Sequence, residues 1–128
     1  MPKSKRSENA RNEWNVRFTH SAEGDIEAII DFIAEREGVG RAEKILQIFR
    51  EAKNSLSAFP MRGHFTPELL RFHISEFREI HAGVYRFIYQ VHKSTKRVYI
   101  HAVFDGRRHV DEILEERLIY RRIKNNEG

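Results

Sequence analysis

The sequence predicts an α+β domain: an N-terminal strand, a helical hairpin packed on a twisted, mainly antiparallel sheet, and a C-terminal helix. Two observations predict it. Apolar residues recur at helical spacing through 26–33 and again through 42–56. Three later segments, within 71–104, are rich in β-branched and aromatic residues and are joined by short connectors. At 128 residues and 15.2 kDa, the chain is long enough for a single core without staples.

Residues 1–13 are polar, carry Lys3, Lys5, Arg6 and Arg11 against Glu8 and Glu13, and show no apolar periodicity. They are expected to form a disordered basic tail, with one domain over 14–124. WNVRF, 14–18, alternates Trp14, Val16 and Phe18 against Asn15 and Arg17, the pattern of a half-buried strand. Ser21 then serves as N-cap, and Ile26, Ile29, Ile30 and Ile33 fall at i, i+3, i+4 and i+7 of a helix running to about Glu37. GVG, 38–40, stops it. A second helix presents Ala42, Ile45, Leu46, Phe49 and Leu56 on one face. FPMRGHFTPELL, 59–70, with two prolines and a glycine, predicts a loop. RFHISEFREIH, VYRFIYQV and RVYIHAVF then read as an antiparallel meander over 71–81, 84–91 and 97–104. After DGRRH, 105–109, Val110, Ile113, Leu114 and Leu118 have helical spacing.

Composition narrows the chemistry. With no cysteine, disulfides, thiolate metal sites and Cys nucleophiles are excluded. No apolar run approaches the roughly 18 residues of a membrane span, and the first fifteen residues lack the apolar core of a signal peptide, so an intracellular, cytoplasmic protein is expected. A formal charge of +4 and a pI near 9.6 permit contact with phosphate backbones or acidic segments.

The strand YRFIYQV, 85–91, poses the central question. Alternation puts Tyr85, Phe87, Tyr89 and Val91 on one face and Arg86, Ile88 and Gln90 on the other. With helices on the first face, the second is predicted to be open and concave. Arg78, Arg86 and His101 would share it beside Tyr99, with Arg107 and Arg108 at the rim. In the last strand a bulge could swap which residues face inward. Such a basic, partly aromatic surface suits a phosphate or a carboxylate. The plainer alternative pairs Arg86 with Glu79 across the strands, and leaves Arg107 and Arg108 to complement acids such as Asp111 and Glu115. His81, His101 and His109 could exchange protons near neutrality. The histidines show no HxxxH or HExxH spacing on a helix, so no metal site and no cofactor are expected.

The C-terminal half, LLRFHISEFREIHAGVYRFIYQVHKSTKRVYIHAVFDGRRHVDEIL, resembles the RelE/ParE toxins of bacterial type II toxin–antitoxin modules. Those carry a similar "REI…YRxxYxV" strand pair and a last strand ending in RR or KR. The preceding helical hairpin matches in order and length, extending the resemblance to about 14–120. It implies a growth-inhibiting toxin of the plasmid-stabilisation type, neutralised by a cognate antitoxin and meeting operator DNA only through the antitoxin complex.

Two mechanisms follow from the resemblance. RelE-like members are ribosome-dependent mRNA endoribonucleases, whose concave-face cations hold the message and stabilise charge on the reacting phosphate. ParE-like members share the fold and inhibit DNA gyrase. Arg86 matches the arginine of the YRxxYQV strand, and Arg107 or Arg108 the arginine ending the last strand; with His109 these are the catalytic candidates if the chain is a nuclease. Arg78, His81, Tyr99 and His101 are then candidates for contacting target or RNA. Glu79, however, falls near the place of the RelE-like lysines, where its charge repels phosphate, and no tyrosine lies about six residues after Arg107. The ParE-like branch is the expected one, with the nuclease and a non-catalytic nucleic-acid-binding module as alternatives.

Overall fold

The computed structural model describes residues 13–107 together with Leu114 and Arg117. Residues 1–12 of the predicted tail, Arg108, His109 and most of the predicted C-terminal helix lie outside the described residues. The elements are β1 (Asn15–Phe18), α1 (His20–Glu37), α2 (Val39–Ala58), β2 (His64–Phe65), α3 (Pro67–Leu70), β3 (Phe77–Ala82), β4 (Tyr85–His92) and β5 (Arg97–Asp105). The strands form one sheet in the order β1-β5-β4-β3-β2, antiparallel except for the parallel β1–β5 pair. No helix among the described residues is long and apolar enough to cross a membrane.

The helical hairpin forms where its periodicity predicts, with one correction at its start. The cap of α1 is Thr19 rather than Ser21. Thr19 has extended backbone angles (φ −69°, ψ 164°), and its Oγ1 accepts from the Ala22 N–H at 3.2 Å. Between the helices Gly38 adopts φ 93°, a region an L side chain rarely enters, and this allows the sharp reversal. Ala22, Ile33, Ala42, Ile45, Phe49, Ala52 and Leu56 bury against Val16, Ile80, Phe87, Tyr89, Val98, Ile100 and Val103 on one face of the sheet. Phe49 seats edge-on against Tyr85 and Phe87, with centroids at 5.1 and 5.3 Å.

The segment 59–76 departs further from expectation. It contributes β2, which pairs His64 with Glu79 and Phe65 with Arg78, and the short helix α3 with Pro67 in its first turn. Strand β3 begins only at Phe77, because His73 takes φ 59° and Ile74 turns back to donate its N–H to the Leu69 carbonyl at 3.0 Å. Gly63 passes so close to β3 that a Cβ there would lie 2.4 Å from the Glu79 carbonyl oxygen and 2.6 Å from the Tyr89 hydroxyl. The Tyr89 hydroxyl fastens this segment, accepting from Gly63 N–H at 3.0 Å and donating to the Pro60 carbonyl at 2.8 Å.

The second face of the sheet is not open along its length. Leu69, Ile74 and Leu114 close over Phe77, Ile88, Ala102 and Phe104 to make a second small core. A bulge sets which residues join it: Tyr89 pairs with Ile100 but Ile88 with Ala102, leaving His101 as the extra residue. Val98, Ile100 and Val103 therefore face the helices, while Ala102 and Phe104 face the second core.

Candidate functional site

Arg86 lies at the edge of that second core. It is paired with His81 across β3 and β4, with Glu79 one diagonal step away on the same face. Its Nε donates to Glu79 Oε2 at 3.0 Å and its Nη2 to Glu79 Oε1 at 2.6 Å. Nη1 and Nη2 also donate to the two carboxylate oxygens of Glu68, each at 2.7 Å. One guanidinium thus forms two forked pairs, one to β3 and one to α3. Arg86 is 9% exposed and Glu79 2%.

Electrostatics follows this geometry. Hydrogen bonds from Arg86 hold the Glu68 carboxyl below its ordinary value, against the opposing effect of its partial burial. The same bonds, Glu68 first, raise the proton affinity of Arg86 above that of a free arginine although burial opposes them. With one cation between two carboxylates, the cluster is net anionic when all three are ionised. It offers no free guanidinium edge to a phosphate.

Two imidazoles stand over the cluster. His81 Nε2 is 2.9 Å and His64 Nε2 3.5 Å from Glu79 Oε2, with ring centroids 5.7 Å apart. Their side chains are 58% and 60% exposed above a carboxylate that is 2% exposed.

The other candidates are distributed differently from the expectation. Arg86 and His81 share a face, but Arg78 does not join them. It neighbours Glu79 in sequence, so strand alternation turns it to the opposite side, the side of its partner Tyr89. There it donates to the Gly63 carbonyl at 2.8 Å and lies 4.4 Å above the Phe65 ring. Tyr99 and His101 look to the same side as Arg86 but from β5, Tyr99 opposite Gln90 toward the far end of β4 and His101 at the bulge beside Ile88 and Tyr89. Gln90 Oε1 lies 3.2 Å from both His101 Nε2 and His92 Nε2, and His92 meets the Tyr99 ring edge-on at 5.1 Å. Arg97 and Arg17, both exposed, flank Tyr99 on β5 and β1. Arg107 is exposed on the turn after β5, bound to Asp105 at 2.6 Å, which raises its proton affinity.

Sequence reasoning missed His64 and Glu68. Glu79 and His81 are two residues apart on a strand, so their common face was legible. His64 and Glu68 reach it only because 59–70 folds back as β2 and α3.

A second feature lies on the helical side. A groove of about 440 Å³ runs between α1 and α2. Phe18, Ile26, Ile30, Leu46 and Phe49 form its apolar lining; Glu23, Glu27 and Asp31 stand on α1, and Arg50 and Lys53 on α2.

The comparisons with known proteins agree with this architecture. The family model of the ParE toxin of type II toxin–antitoxin systems, parDE, matches residues 16–110. Among solved structures, one from the chromosomal ParDE toxin–antitoxin system of P. aeruginosa is similar with a TM-score of 0.60 at 19% identity, covering 73% of this chain and 97% of that one. Another, from the RelBE2 toxin–antitoxin complex of Mycobacterium tuberculosis, gives a TM-score of 0.50 at 21% identity, covering 73% and 91%. These two likenesses are of fold. No curated protein matches the sequence. With the family model spanning the sheet and the helical hairpin, this chain belongs to the ParE toxin family of type II toxin–antitoxin systems.

Proposed function

We propose that this toxin arrests growth by acting on DNA gyrase in the cytoplasm, and not by cutting messenger RNA. The observation that carries the choice is the state of Arg86. A nuclease of the RelE type needs cations turned toward the phosphate it cleaves. Here the arginine at the matching position is buried between Glu68 and Glu79, in a cluster with an excess of negative charge. Freeing it would strand two carboxylates, one of them almost wholly buried.

The cognate antitoxin is proposed to neutralise the toxin through the groove between α1 and α2. Its apolar lining, with acids on one helix and bases on the other, suits an amphipathic helix of matching charge. The nuclease alternative draws on Arg17, Arg97, Tyr99 and His92, which give the far end of the sheet a basic and aromatic surface.

The deciding experiment uses two assays at one dose that stops growth. In a translating bacterial lysate, primer extension on a reporter message should show no new cuts. With purified gyrase and relaxed plasmid, supercoiling should fall. Discrete ribosome-dependent cuts with normal supercoiling would overturn the proposal.

A further inference from the structure

His64, Glu79 and His81 converge at the β2–β3 edge in a way that their mutual hydrogen bonding does not use up. The Glu79 carboxylate has about four lone-pair directions on its two oxygens. Arg86 occupies one on each oxygen, at 2.6 and 3.0 Å. What remains on Oε2 is approached by two imidazole nitrogens at once, His81 Nε2 at 2.9 Å and His64 Nε2 at 3.5 Å. The three candidate ligand atoms all lie within 4.8 Å of one another.

We propose that His64, Glu79 and His81 form a binding site for a divalent transition-metal ion of the zinc class. Zinc takes imidazole nitrogen and carboxylate oxygen at about 2.0–2.2 Å, so tetrahedral ligands sit roughly 3.3 Å apart. The two contacts to Glu79 bracket that separation. Bringing the ion in requires a small rotation of two exposed imidazoles, while the carboxylate is already buried and held. Arg86 supplies what a ligating carboxylate ordinarily has behind it, a hydrogen-bond partner that fixes its orientation. Glu68 offsets the charge of Arg86, so the ion approaches a cluster that is net negative. Two nitrogens and one oxygen disfavour magnesium and calcium, which take oxygen. Because both histidines are more than half exposed, the fourth position faces solvent and would be filled by water.

The site would also act on the fold. His64 is one of the two residues of β2, so an ion shared with Glu79 and His81 would cross-link the folded-back segment to β3. The proposal stands independently of the cellular target.

The test is zinc titration of the tag-free full chain by calorimetry, with magnesium in parallel, and thermal melts in chelator and in zinc. One ion should bind per chain. His64→Ala and His81→Ala should each weaken zinc binding by at least about tenfold, since even loss of an outer-shell partner commonly costs that much. His92→Ala, on an exposed histidine at the far end of β4, should leave it unchanged. Zinc should raise the melting temperature of the wild type and not of the His64→Ala/His81→Ala double variant, whose melt in chelator should match the wild type. Glu79 is kept, because its loss would strip Arg86 and unfold the region. Equal zinc affinity in wild type and double variant, or no zinc binding by the wild type, would overturn the proposal.

Discussion

Arg86 shows how burial changes the meaning of a residue. On an open face, Arg86→Ala would leave stability nearly unchanged and remove only a surface charge. In the fold it would leave Glu79 uncompensated at 2% exposure and Glu68 without its forked partner. Breaking a buried pair in this way costs about 3–5 kcal/mol. Urea denaturation of Arg86→Ala should show a loss of that size. Arg86→Lys should recover only part of it, because an ammonium cannot form two planar forks. A melt within a degree of the wild type for Arg86→Ala would contradict the buried cluster. The strand period separates Arg78 from Glu79 but does not set the register between strands that brings Glu79, and not the expected Arg78, onto the face of Arg86. It could not say whether that face was wet, since the covering residues Leu69, Ile74 and Leu114 come from elsewhere in the chain.

At the scale of elements, the segment 59–76 decides most of what the sequence left open. Its prolines and glycine signal a break, yet the segment packs as β2 and α3 because the sheet supplies partners that local propensity does not register. Glu68 makes α3 part of the sheet's electrostatics. Its carboxyl is held below the ordinary 4.5 by Arg86, so the native state keeps the charge where the unfolded chain takes up a proton. That contribution is complete above about pH 4.5 and is lost as pH falls through the lowered native value. Stability measured by denaturant between pH 6 and pH 2 should therefore fall on the acid side. Glu68→Gln should start lower at pH 6 and fall less steeply. An acid limb identical in slope to the wild type would show that Glu68 is not coupled to folding.

For the whole molecule, the two faces of the sheet are covered in different ways. Helices cover one and leave the groove between them outermost; α3, Ile74 and Leu114 close the centre of the other. If the groove seats the antitoxin, reversing charge along α2 should weaken that complex without disturbing the core, since Arg50 is exposed and Lys53 lies at the groove's rim. Arg50→Glu with Lys53→Glu should raise the antitoxin dissociation constant by at least about tenfold, chiefly at low salt, and growth should no longer be rescued by antitoxin co-expression. Unchanged affinity would place the antitoxin elsewhere.

The α+β class, the two amphipathic helices, the three long strands and the family likeness were all legible in the order of residues. Each of these rests on a local period, 3.6 or 2, or on residues adjacent in the chain. The parallel β1–β5 pair, the place of the bulge at His101, the covering of the second face, and the meeting of His64, Glu68, Glu79, His81 and Arg86 emerge from the folded chain alone. The physical reason is the same in every case. These features join residues separated by many positions, and their energies depend on burial and on partners that no local window contains.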